Sequence, residues 1–142
     1  MNSTRTILIP YRNNAQLQSG MMAASRTLIR ERPAELTLFH LPGETFDEPF
    51  VLAIRGIYGR SACHPLHLHL ATAVADSEDA IKAYNQKHDI DFVVIPWCTH
   101  LTPELLGEPY EITPYATIVR CLKQTQLMQL LTDTGQEHCL LH

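Results

Sequence analysis

The sequence predicts an α/β protein in three layers, with helices on both faces of a parallel sheet. Three observations carry that prediction. Short, branched apolar runs recur at residues 6–11, 35–41, 66–74 and 91–96. Between them, apolar residues repeat at helical spacing. The connections are short and marked by proline, glycine and capping residues. Strands that alternate with helices in this way pair in parallel, because each helix carries the chain back across the sheet in a right-handed crossover.

Each element has its own reason. Ile7, Leu8 and Ile9, closed by Pro10 and Tyr11, form a first strand buried on both sides. Asn14 is placed to cap the next helix, since its side chain can accept a bond from a free N–H of the first turn. Leu17, Met21, Ala24 and Leu28 then make one apolar stripe. Gly20 inside that helix costs about 1 kcal/mol relative to alanine, which marks a point of close packing. Pro33 ends the helix. Residues 35–41 are a second strand, stopped by Pro42 and Gly43. Asp47 or Glu48 before Pro49 starts a second helix. Phe50, Ile54, Ile57 and Tyr58 give it a buried stripe, and Pro65 closes the connection. Residues 66–74 read as a third strand with His67 and His69 on one face and Leu66, Leu68 and Leu70 on the other. Asp76 or Ser77 caps a third helix carrying Ala80, Ile81 and Tyr84. Residues 91–96 are the fourth and most apolar strand.

Beyond Trp97, Thr102-Pro103-Glu104 predicts a single helical turn ending at Gly107. Thr113-Pro114 predicts the start of a longer helix bearing Ile118, Val119 and Leu122 and continuing through 127–131. A turn at 132–135 then leads to a short fifth strand at 138–142. No repeat or linker interrupts the pattern, so residues 1–142 read as a single domain.

Composition removes several classes of function. The chain has 142 residues, with 11 Lys+Arg against 15 Asp+Glu and a net charge of −4. That balance argues against a protein built to neutralise the phosphates of nucleic acid. No run approaches the length of a membrane span or a secretory signal, so a cytoplasmic location is expected. The cysteines at 63, 98, 121 and 139 form no C-x-x-C pair and read as reduced thiols. There is no G-x-S-x-G elbow, Walker A loop or H-E-x-x-H motif. The carboxylates Asp89, Asp91, Glu104 and Glu108 read as solvated charges at element ends.

The first strand and its helix, the second strand as "AELTLFHL" from Ala34, and "DAIKAYNQKHDIDFVVI" from Asp79 together resemble the universal stress protein family. The resemblance covers nearly the whole chain and is clearest in residues 5–41 and 66–96. It implies five parallel strands in the order 3-2-1-4-5, and dimers paired through the last strand. ATP-binding members carry an acid just after the proline of the first strand, and a Gly-x2-Gly-x9-Gly-Ser/Thr segment after the fourth. Here Tyr11 stands at the first of those places. The second reads Trp97-Cys98-Thr99-His100-Leu101-Thr102-Pro103, and only Gly107 remains in the region. A phosphate cradle needs inward-facing backbone N–H groups in conformations that glycine permits, and proline has no N–H to give. The expectation is a protein of this type without ATP and without a cofactor.

Ligands of open parallel sheets bind beyond the carboxyl ends of the strands, where the strand order reverses. In the implied order, Tyr11, Arg12 and Asn13 arrive there after strand 1, Trp97, Cys98 and His100 after strand 4, and His40 ends strand 2 nearby. Arg12 can hold an anion, Trp97 or Tyr11 can stack on a ring, and Cys98 with His100 and His40 can bind a soft metal. The plainer alternative is that Trp97 plugs the cleft and Cys98 is a small buried hydrophobe. A second cluster, Cys63, His64, His67 and His69, has ligand types suited to zinc or copper but no recognised zinc spacing. It sits at the opposite end of the sheet from Cys98. His138, Cys139 and His142 read as an exposed terminus. The resemblance implies a non-catalytic stress-response regulator, homodimeric, that binds a small ligand or another protein. The alternatives are an ATP-binding relative with a diverged loop, a His/Cys metal- or redox-responsive protein and, last, Cys98-based thiol chemistry.

Overall fold

The computed structural model describes residues 4–122 and places three helices around one mixed sheet. In chain order these are β1 (Arg5–Tyr11), α1 (Asn14–Thr27), β2 (Ala34–His40), α2 (Glu48–Ser61), β3 (Leu66–Thr72), α3 (Glu78–His88) and β4 (Phe92–Pro96). A 3-10 turn (Pro103–Leu105), β5 (Glu108–Ile112) and β6 (Ala116–Arg120) follow. The sheet order is β3-β2-β1-β4-β6-β5. The first four strands are parallel, as expected.

The fifth position departs from expectation. Among the described residues the sheet has six strands and is mixed, because β6 pairs antiparallel with β4 and β5 pairs antiparallel with β6. Residues 113–122 therefore do not start a helix. Thr113 instead builds the turn of a hairpin: its Oγ1 accepts from the N–H groups of Tyr115 and Ala116 at 3.0 and 2.9 Å. The β-branched run Thr117-Ile118-Val119 fits a pleated strand better than a helix. Ala116 and Ile118 face one layer while Val119 faces the other, so the strand is buried on both sides. The helix at 127–131, the turn at 132–135 and the strand at 138–142 lie outside the described residues.

Successive side chains of the sheet divide into two cores. Ile7, Ile9, Leu36, Leu38 and Val94 meet Leu17, Met21 and Ala24 of α1 and Val51 and Ile54 of α2. Leu8, Phe39, Val93 and Ile95 meet Ile81 of α3, together with Leu101 and Leu106. Each fully buried aliphatic side chain contributes about 1.5–3 kcal/mol. Gly20 is the close contact that the sequence marks: a Cβ there would stand 2.5 Å from Ile9 Cγ2. The stripe of α2 is narrower than expected, since Ile57 is exposed.

Two polar details secure the frame. Asn13, not Asn14, caps α1; its Oδ1 accepts from Gln16 N at 2.9 Å. Asp91 is not a solvated charge. Its Oδ2 accepts from Thr6 N at 2.9 Å and from Thr6 Oγ1 at 3.0 Å, clamping the start of β4 to β1.

Candidate functional site

The site grows out of the register of β1, β2 and β3. Tyr11 pairs with His40, and His40 with Thr72, so all three stand at the carboxyl edge of the sheet. Tyr11 and His40 share the face covered by α1 and α2, and their rings meet edge to face with centroids 5.3 Å apart. Phe46, from the loop between β2 and α2, lies against His40 at 5.4 Å. Tyr11 and His40 are buried, yet among the described residues Tyr11 Oη and His40 Nε2 make no hydrogen bond. Burial pushes the Tyr11 hydroxyl up to about 12, because the phenolate would lose its hydration.

The next residue turns to the opposite side. Arg12 Nε lies 3.1 Å from Asp76 Oδ2, and His100 Nε2 lies 2.9 Å from Asp76 Oδ1. Asp76 is thus shared between the loops that follow β1, β3 and β4. Arg12 Nε and Asp76 Oδ1 are buried, and neither contact is aligned as a hydrogen bond. The guanidinium also passes Gly43, whose φ of +125° suits glycine; a Cβ there would come within 3.1 Å of Arg12 Nη2. Gln16 ties the arrangement to α1. Its Oε1 accepts from Arg12 N at 2.8 Å and its Nε2 donates to the Cys98 carbonyl at 3.2 Å.

Of the residues singled out from sequence, Tyr11, Arg12, His40 and His100 come together around this edge. Asn13 serves as the helix cap and its Nδ2 donates to Glu44 at 3.3 Å. Together with Asn14, Gly43, Phe46 and Asp47 it lines an open groove of about 950 Å³ between the first turns of α1 and α2.

Trp97 does not plug the cleft. It is 44% exposed, and its Nε1 donates to the Thr113 carbonyl at 3.1 Å, so the ring belongs to the hairpin turn. Cys98 is not a buried hydrophobe either; it is exposed, with a left-handed φ of 66°. His100, the imidazole nearest in sequence to Cys98, faces Asp76. Residues 97–102 are pinned at three places: Gln16 holds the Cys98 carbonyl, Asp76 faces His100, and Glu78 Oε2 accepts from Thr102 N at 2.8 Å. That last bond holds the Glu78 carboxyl below its usual range.

Cys63 is exposed at the other end of the sheet, next to His64 at the start of the β3 edge. His67 and His69 are exposed along that edge, and His69 lies 3.8 Å from Glu35. Among the described residues, no three His, Cys, Asp or Glu side chains converge as a metal would need. The sequence reading missed Gln16, Phe46 and Asp76. Asp76 had the one visible signal, an acid at a strand's carboxyl end, but it also read as a helix cap; Ser77 takes that role, accepting from Ala80 N at 3.2 Å.

Comparison with protein-family models, curated proteins and solved structures finds no significant match.

Proposed function

We propose that this protein is a non-catalytic regulator of the universal stress protein type, one that binds a small ligand at the carboxyl edge of β1 and β2 and does not bind ATP. The observation that carries the reading is the pair of buried polar atoms there that find no hydrogen-bond partner among the described residues, Tyr11 Oη and His40 Nε2. Buried polar atoms are nearly always paired, and those that are not call for a function. Tyr11 and His40 offer hydrogen bonds to a small polar group, with Phe46 packed against His40, while Arg12 and Asp76 bound the site on the other side of the sheet edge.

Two further features support the reading. Residues 97–102, which would have to wrap a triphosphate, are engaged with Gln16, Asp76 and Glu78 instead. The parallel order of the first four strands fits the family resemblance. On this reading the protein acts in the cytoplasm as a homodimer. The exposed edge strand β5, with Tyr110 and Ile112 partly or largely exposed, supplies a pairing surface. Among the described residues no helix is long and apolar enough to cross a membrane.

A thermal-shift screen of small polar metabolites against the full chain and Tyr11→Phe tests the proposal. A stabilising ligand that loses its effect in Tyr11→Phe is the expected result. A ligand that stabilises both chains equally would contradict it.

A further inference from the structure

We infer that a second ligand site lies at the opposite end of the sheet, between the last turn of α3 and the segment joining the 3-10 turn to β5, and that it takes a small amphipathic amine. This inference is independent of the carboxyl-edge site. A cavity of about 500 Å³ opens there, its walls including Asn85, Ile90, Leu105, Leu106 and Leu122. That volume falls within the range of about 300–1,000 Å³ that suits a small organic ligand.

The polar anchor is Asn85. It is only 7% exposed, and among the described residues its Oδ1 accepts no hydrogen bond. An acceptor shut away from water calls for a donor, which a ligand N–H supplies. The apolar walls give a ligand body somewhere to go. Ile90 and Leu106 are buried, while Leu105 and Leu122 stand 51% and 38% exposed at the mouth. One wall is fixed by the backbone: Gly107 lies so close to the Arg120 carbonyl that a Cβ would collide with it. The 3-10 turn is therefore seated against β6 and holds its leucines in place.

Charge selects the kind of donor. Among the described residues, Glu104 and Glu108 line the cavity against one cation, Lys82, and this holds with Asp89 left to its own contacts. Two carboxylates against one ammonium favour a cationic end over an anionic one. An apolar body with a protonated amine meets the leucines, the Asn85 oxygen and the acidic rim together.

The test uses the full chain, with phenethylamine as probe and 2-phenylethanol and 3-phenylpropanoate as neutral and anionic controls, followed by amide NMR and calorimetry. Phenethylamine is expected to shift the amides of Asn85, Leu105, Leu106 and Leu122 saturably and to leave Tyr11 and His40 unmoved. Asn85→Leu should weaken binding about tenfold, the equivalent of one good hydrogen bond. Because Asn85 is buried, the rim variant Glu104→Lys gives a second reading; it should weaken the amine and leave the alcohol unchanged. The inference is overturned if no saturable shift occurs, if the carboxylate binds as tightly as the amine, or if both variants bind the amine like the native chain.

Discussion

Tyr11→Phe should leave the protein at least as stable as the native chain at pH 7, although Tyr11 is a core residue. The ring stays in the apolar layer that it shares with Ile9 and Leu17. Only the hydroxyl is lost, and among the described residues it is buried without a hydrogen-bond partner. An unsatisfied buried polar group costs about 1–3 kcal/mol, so its removal should stabilise by about 0–2 kcal/mol once some relaxation is allowed. The gap should widen in alkali. The hydroxyl loses its proton near 10 in the unfolded chain and near 12 in the folded one. Between those values the unfolded state binds fewer protons, so native stability falls as pH rises. Two pH units set an upper limit of about 2.7 kcal/mol. Residual solvation and relaxation around the phenolate reduce that to about 1–2 kcal/mol. Urea titrations of both chains from pH 7 to 11.5 give the difference directly, and other alkaline titrations cancel in it. If the variant loses more than about 1 kcal/mol at pH 7, the hydroxyl has a partner and the argument for a ligand there fails.

Three further outcomes follow from the same geometry. Asp91→Ala should cost about 2–3 kcal/mol, because two bonds from Thr6 to one carboxylate are lost; a matching cycle with Thr6→Val should show strong coupling in urea midpoints. Gly43→Ala should cost about 1–3 kcal/mol from its positive φ and push the Arg12 guanidinium from its place, visible as a moved side-chain Nε signal in NMR spectra; an unmoved signal would mean the loop shifts instead. Glu78 has a depressed folded pKa, held there by the Thr102 N–H. Its contribution to stability is present above the ordinary carboxyl range and is lost as pH falls through the folded value. Glu78→Gln should therefore flatten the acid limb of the stability profile, and an unchanged limb would show that the bond carries no stability.

The elements framed by unambiguous local chemistry were legible in the sequence. Pro33 and Pro65 stand just before β2 and β3, and Pro49 sits in the first turn of α2. The hairpin was not legible, because Ile118, Val119 and Leu122 satisfy helical spacing as well as they satisfy a strand buried on both faces. Only the pairing of Val94 with Ile118 in the folded chain decides between the two. The site was half legible. Tyr11, Arg12, His40 and His100 follow from the rule that ligands sit at carboxyl ends. Asp76 and Gln16 act through contacts across 64 and 82 positions of sequence, to Arg12 and Cys98 respectively, and no local pattern encodes such distances. Trp97 misleads for a related reason: a tryptophan after a strand suggests a plug, but the Thr113 carbonyl that holds it is reached only once the hairpin forms.

A calorimetric titration of the full chain with magnesium–ATP tests the central claim most directly. With residues 97–102 committed to Gln16, Asp76 and Glu78, no saturable heat is predicted up to about 1 mM nucleotide, an affinity no better than about −4 kcal/mol. Stoichiometric binding in the micromolar range would show that this loop releases its contacts to hold a triphosphate, and the account would be wrong.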